Sequence, residues 1–338
     1  LDAYSYLFYS NRDGIHFFRD TVSIKYRKGN IMFSSIFSRI AAIFLVILVG
    51  TAARWRGVLT KDSTDGLCRV ALELTLPFLY FYTLSTTLSP ALFVSIAQLP
   101  LLAAGMILAA FFSSRMIAPF LHLNNDERKT FVFLCTFPNY GFLAIPLVFS
   151  LFGQQGLVMV FMFNLGISLL YWTLGIAILG GAGISAKGMF KNLANSATLG
   201  LALGITAGVC SLRIPDFILQ AADSIGKASI PLALIVVGAI LAHKDKKQRF
   251  AFSAVSALVI FRLVVMPLMA LFIVNRVGHL PQMLRVLIVL QAAMPSASTT
   301  PILTGKFGGD TALAASGVFF TTLFSILTVP LFITMALR

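Results

Sequence analysis

Apolar residues in this chain come in long blocks, and polar residues come in short separators between them. From Met32 onward, runs of about 20 apolar residues alternate with brief polar loops. A block of that length crosses the hydrocarbon layer as a helix. No stretch alternates apolar and polar over ten residues as a barrel strand does. The pattern predicts an all-α integral membrane protein with ten transmembrane helices. They are expected at residues 33–53, 67–88, 92–117, 131–151, 156–179, 193–212, 221–242, 250–274, 284–304 and 313–337. The sixth is the weakest, with Asn195, Ser196 and Gly200 near its start.

Two blocks contain residues that a membrane helix should avoid. The fourth reads FPNYGFLAIP from Phe137 to Pro146, and the ninth carries MPSASTTP from Met294 to Pro301. Pro138 and Pro295 each remove a backbone donor and clash with the carbonyl four residues back. Asn139 and Gly141 tolerate non-helical backbone. Helices 4 and 9 are therefore expected to be broken at mid-membrane. Irregular backbone at that depth is viable only inside protein or along a wet cavity.

The interruptions belong to a longer correspondence. Pro77 precedes Pro231 by 154 residues, Pro138 precedes Pro295 by 157, and Pro146 precedes Pro301 by 155. Phe152-Gly153 precedes Phe307-Gly308 by 155. Four landmarks at nearly one offset indicate a duplication of five helices. An odd number of crossings makes the second copy inverted, an architecture of secondary transporters. The expected division is residues 33–180 for the first repeat and 181–338 for the second. Paired interruptions at matching depth point to the substrate site. Half-helix N-termini meeting at the centre present unpaired N–H groups and positive dipole ends, which favour an anion such as a carboxylate. The candidate binding residues are Pro138, Asn139, Tyr140, Gly141, Pro295, Ser296, Ser298 and Thr299.

Composition agrees with a membrane protein: 58% of residues are hydrophobic, 11% are charged, and the mean hydropathy is +0.90. A net charge of +14 would suggest nucleic acid in a soluble protein. Here the basic residues stand in loops. Loops after odd-numbered helices hold fourteen Lys and Arg, against four (Arg213, Arg276, Arg285, Arg338) after even-numbered helices and at the C-terminal end. The positive-inside rule makes the odd loops cytoplasmic, places both termini outside, and removes the case for nucleic acid. Residues 1–32 differ in kind, being polar and aromatic without a signal-peptide core. They read as leader translated ahead of a start at Met32, or as a disordered tail.

Further polar residues fall within the blocks. Glu73 and Lys227 each lie four residues before a repeated proline, as mates of opposite sign. Glu73 can be a proton-coupling carboxylate, the pair can bridge two helices, or both can reach for the membrane surface. Arg262, at the middle of helix 8, can attract an anionic substrate or satisfy carbonyls of a broken helix. Asn164 and Ser168, on one face of helix 5, and Gln291, one turn before the second break, are candidates for the same region or for ordinary interhelical hydrogen bonds. Tyr171 and Trp172 read as an interfacial aromatic belt. Cys68, Cys135 and Cys210 are scattered, and no spacing suggests a metal or other cofactor. An intramembrane enzyme is disfavoured, because Asp310 has no intramembrane acidic mate and no His lies in a helix core.

Four segments taken together resemble the auxin efflux carrier family, whose bacterial members include malonate and malate permeases. They are PNYGFLAIPL from Pro138, PLALIVVGAIL from Pro231, QAAMPSAS from Gln291, and the region from Phe307 to Leu331 that opens with FGGD. The resemblance runs from Met32 to the C-terminal end. It implies a fold like that of bile acid:sodium symporters and sodium–proton antiporters, with helices 4 and 9 crossing at Pro138 and Pro295. It also implies a scaffold of helices 1, 2, 6 and 7, a moving domain of helices 3–5 and 8–10, and a homodimer through the scaffold. Asn139 matches the family's crossover Asn; Tyr140 departs from the small residue usual after it, where a bulky ring narrows the cavity or stacks on a substrate. The expected function is a carrier in the inner membrane for a small organic anion, coupled to a proton or sodium. An anion channel or a carboxylate sensor is the alternative.

Overall fold

The computed structural model describes residues 29–180, 195–242, 251–277 and 280–338. The expected leader lies almost wholly outside this range, as do the loop residues Lys187, Lys191, His243, Lys244, Lys246, Lys247 and Arg249. The described residues form α1 (Gly29–Trp55), α2 (Lys61–Thr87), α3 (Pro90–Leu121), α4 (Asn125–Thr136), α5 (Ala144–Leu179) and α6 (Ser196–Val209). There follow α7 (Asp216–Leu241), α8 (Phe252–Arg276), α9 (Gln282–Ala293), α10 (Thr300–Phe307) and α11 (Thr311–Ala336). Seven of these, α1, α2, α3, α5, α7, α8 and α11, are long and apolar enough to cross a membrane. α6 and α9 are shorter apolar helices of 14 and 12 residues. The described residues contain no strand, only an isolated antiparallel bridge between Pro138 and Ser296.

Helix starts follow local chemistry. Asn124 begins α4 with a capping box: its Oδ1 accepts from the amides of Asp126 and Glu127, and Glu127 Oε2 accepts from the amide of Asn124. Asn195 caps α6 through the amide of Thr198. That cap explains the polar start that weakened the sixth block as a sequence signal. Asp310 caps α11 by accepting from Leu313 N, while its own amide donates to Thr130 Oγ1 at 2.8 Å. Three helices carry a π turn: Val70–Thr75 in α2, Tyr171–Gly175 in α5 and Phe261–Val265 in α8. Each π turn holds one of the polar residues in question, Glu73, Tyr171 or Arg262.

The molecule is apolar outside and partly polar inside. Leu45, Leu48, Leu101, Phe112, Leu203 and Leu327 are exposed, whereas Thr83, Thr136, Arg262, Gln291, Ser296 and Thr321 are fully buried. Water would penalise that arrangement, but lipid favours it, because apolar side chains face hydrocarbon and most buried polar groups find partners within the protein.

Helix contact inside lipid depends on close approach rather than on apolar burial. α6 meets α2 through Gly200, Gly204 and Gly208, one per turn. A methyl group on Gly200 would sit 2.3 Å from Pro77 O, and one on Gly208 would sit 2.6 Å from the carbonyl oxygens of Leu84 and Leu88. α1 meets α7 in the same way: a methyl on Gly238 would lie 1.9 Å from Ile47 O, and Thr51 Oγ1 donates to Gly238 O at 3.0 Å. Elsewhere α3 packs on α4 and α5, and α11 packs on α4, α8, α9 and α10. Gly200→Ala is therefore expected to lower the thermal midpoint of the purified protein by an overpacking cost of about 1–3 kcal/mol. Gly105→Ala, where the added methyl meets nothing within 4 Å, is expected to leave it unchanged or raise it. Equal midpoints for the two variants would contradict the close contact.

Candidate functional site

α4 stops at Thr136 and α5 starts at Ala144; α9 stops at Ala293 and α10 starts at Thr300. The two non-helical segments lie side by side. The Asn139 amide donates to Pro295 O at 2.7 Å, and the Ala297 amide donates to Phe137 O at 3.0 Å. This short antiparallel pairing satisfies groups that each proline strips from its helix. Side chains extend it: Asn139 Nδ2 donates to Ser298 Oγ at 3.4 Å, Ser296 Oγ to Leu134 O at 3.0 Å, and Ser296 N to Thr321 Oγ1 at 3.3 Å. Pro138, Asn139, Pro295, Ser296 and Ser298 are buried; Tyr140, Gly141 and Thr299 are half-buried.

Arg262 lies behind the pairing, fully buried. Its Nη1 donates to Cys135 O at 3.3 Å, and its Nη2 to Met294 O at 2.6 Å and Ala292 O at 3.5 Å. These carbonyls belong to the C-terminal ends of α4 and α9, the negative ends of two helix dipoles. Among the described residues no carboxylate lies within ion-pair distance of Arg262. Of the two roles open to it from sequence, the structure places it on the carbonyls. The planar guanidinium reaches two chain ends at once, which a point-like ammonium does less well.

On the opposite side of the pairing are the N-terminal ends of α5 and α10. Among the described residues, no hydrogen-bond partner meets the amides of Gly141, Phe142, Leu143, Ser298 and Thr299. A methyl on Gly141 would touch nothing within 4 Å, so open space adjoins this end.

α5 supplies a polar face toward the pairing. Asn164 Nδ2 donates to Tyr140 O at 2.9 Å, Gln291 Nε2 donates to Asn164 Oδ1 at 3.0 Å, and Ser168 Oγ lies 3.5 Å from Tyr140 Oη. The Oε1 atom of Gln291 is buried without a partner. Tyr171 requires a correction. It is not part of an interfacial belt: it is buried, bonds Thr299 Oγ1 at 2.6 Å, and packs its ring against Phe133, Phe137, Tyr140 and Trp172. Its place on the face of Asn164 and Ser168, seven and three residues on, was the signal available in sequence. Thr321 offered no comparable signal.

Glu73 and Lys227 stand apart. Both are exposed, and they do not pair with each other. Lys227 instead bonds Asp223, one turn back on α7. An exposed carboxylate and an i,i+4 ion pair need no buried partner, which removes the reason for a bridge.

Arg262→Met should lower the melting temperature, because it strands three carbonyls at the ends of two helices; a single hydrogen bond to a charged group contributes about 1.5–3 kcal/mol. Arg262→Lys should recover part of the loss. A Met variant melting like wild type would contradict the clamp.

The comparisons with known proteins agree with this architecture. An uncharacterized transporter of Methanocaldococcus jannaschii is 25% identical over 302 residues, covering 86% of this chain and 95% of the relative. An uncharacterized transporter of Methanothermobacter thermautotrophicus is 26% identical over 304 residues, with the same coverage of 86% and 95%. A family model described as membrane transport protein matches residues 35–333. That match takes in nearly the whole described chain, including both non-helical segments, α8 and the glycine-lined helices: the chain belongs to the membrane transport protein family, which is that of the auxin efflux carriers.

Proposed function

We propose that this transporter is a secondary carrier for a small organic anion, a carboxylate, bound where the segments Phe137–Leu143 and Met294–Thr299 cross. One observation carries the reading: five amides at the starts of α5 and α10 lack partners among the described residues, open space adjoins them at Gly141, and Arg262 meets the opposing negative helix ends. The centre is therefore left net positive, with N–H donors directed at a small anion. Asn139, Ser298 and Thr299 add side-chain donors, and the Tyr140–Tyr171 pair walls one side.

In this reading the ten spans are α1, α2, α3, α4 with the first turns of α5, the rest of α5, α6, α7, α8, α9 with α10, and α11. They form two inverted repeats of five. Supporting the repeat, Gly153 and Gly308, the matched glycines, both take positive φ, at 61° and 100°. Each ends the short helix that follows an interruption. α1, α2, α6 and α7 form the scaffold, held by their glycine contacts. α3–α5 and α8–α11 form a unit that slides against it as an elevator, carrying the site between the two faces of the membrane. Between the groups, Thr83 Oγ1 donates to Gln154 Oε1 at 3.0 Å, and Arg39 bonds Ser150 O.

Two experiments test the proposal. The purified protein is heated with mono- and dicarboxylates, aromatic acids and neutral analogues, at two pH values, with and without sodium. A carboxylate should raise the melting temperature by mass action, about 2.7 kcal/mol at a hundred times its dissociation constant. Asn139→Ala should abolish that gain while remaining folded. Stabilisation by neutral compounds alone would refute an anion site. In a background lacking Cys68, Cys135 and Cys210, oxidation of Thr83→Cys with Gln154→Cys should stop uptake of the stabilising acid, and a reductant should restore it. Undiminished uptake by the cross-linked protein would refute sliding at this boundary.

A further inference from the structure

A second feature lies away from the crossing, at the end of the bundle where α8 finishes. There α8 and the end of α11 enclose an open groove of about 600 Å³, lined by Leu268, Leu271, Phe272, Ile273, Asn275 and Met335. Its lining is apolar except for Asn275. On α8 the residues Ile260, Val264, Leu268 and Phe272 are exposed at intervals of one turn, a ridge that faces hydrocarbon. The next step along the ridge is Arg276. Its guanidinium lies over the ring of the lining residue Phe272, 5.0 Å from the centroid. Arg285 reaches the same place from α9: its Nη2 donates to Asn275 Oδ1 at 2.7 Å, while its Nε is buried without a partner. Arg338 follows Met335 by less than a turn, next to Leu337, whose carbonyl accepts from Gln282 on α9. Of the four basic residues in even-numbered loops and at the C-terminal end, two thus contact the groove's lining, Arg276 at Phe272 and Arg285 at Asn275, and a third, Arg338, follows the lining residue Met335 in sequence. Among the described residues no acidic side chain pairs with any of them.

A cation at the end of α8 is explained by the helix dipole for Arg276 alone. It does not account for Arg285, which starts from another helix and leaves a buried N–H unmet, nor for the groove between the cations and the hydrocarbon. We propose that this is a binding site for an anionic glycerophospholipid. One acyl chain lies in the groove along Leu268, Phe272 and Met335, and the phosphate sits beside the guanidinium groups of Arg276 and Arg285. Charge selects the headgroup, and the apolar lining selects a molecule with a chain attached to it.

The test uses the full chain purified in an uncharged detergent, with bound lipid counted by native mass spectrometry. The probes are phosphatidylglycerol, phosphatidylcholine with the same chains, diacylglycerol, and glycerol 3-phosphate. Phosphatidylglycerol is expected to bind on the order of tenfold more tightly than phosphatidylcholine, and glycerol 3-phosphate not at the same concentration. Arg276→Gln, at an exposed position where folding is not at risk, is expected to erase the preference. Leu268→Trp, which fills the groove, is expected to weaken phosphatidylglycerol binding while leaving the charges in place. Equal binding of the two phospholipids, or an unchanged preference in Arg276→Gln, would overturn the proposal. Binding of glycerol 3-phosphate as tight as that of phosphatidylglycerol would overturn it in favour of a free phosphate site. A change of oligomeric state in Leu268→Trp with lipid binding intact would overturn it in favour of a second copy of the chain.

Discussion

The structure depends on one constraint: a backbone polar group within a bilayer has no water to turn to. Two prolines in matching blocks violate the usual answer, a continuous helix, and the protein answers each violation with the other. The segments at Pro138 and Pro295 pair as a fragment of antiparallel ladder, and Arg262 collects carbonyls from the helix ends behind them. Each break takes backbone partners from the other, which explains why they share one neighbourhood. It also explains the asymmetry of the crossing. The carbonyl ends are occupied by the protein's own cation, whereas the amide ends at Gly141 and Ser298 are left open. In the proposed site, backbone donors at these amide ends would favour an anion by charge before shape enters.

Much of this was legible in the residues because membrane constraints are severe. Long apolar blocks mark helices, and a proline with Asn and Gly at the centre of such a block marks an interruption. Three things were not legible. Whether Arg262 faced a substrate or a carbonyl depended on which helices stood around it, a property of packing between residues 30 to 127 positions apart. Tyr171 next to Trp172 resembled an interfacial pair, because composition near a helix end does not tell lipid from protein; the hydroxyl of Thr299 decided it. Glu73 and Lys227 looked like mates because their positions correspond, yet corresponding positions in a duplicated chain need not touch. Lys227 found Asp223 on its own helix.

The glycine contacts have a complementary role. α6 on α2 and α1 on α7 approach closely enough for backbone to meet backbone, and such surfaces tolerate no added methyl. The boundary that α5 shares with α1 and α2 is joined by side-chain links such as Thr83 to Gln154 and Arg39 to Ser150. Such links break and re-form at small cost, whereas interlocked backbones do not. This distribution of contact types is what the proposed division into scaffold and sliding unit rests on.

The placement of Arg262 has an electrical consequence. The guanidinium is a cation, and it is fixed to helices that slide in the proposed cycle. A charge that moves with the carrier feels the membrane potential at every cycle, about 2.3 kcal/mol per 100 mV for a full traverse of the field. In the proposed cycle, travelling with one carboxylate it would form a neutral load that the potential barely drives. Returning empty it would be a bare cation, and the voltage would then favour one orientation of the unloaded carrier over the other.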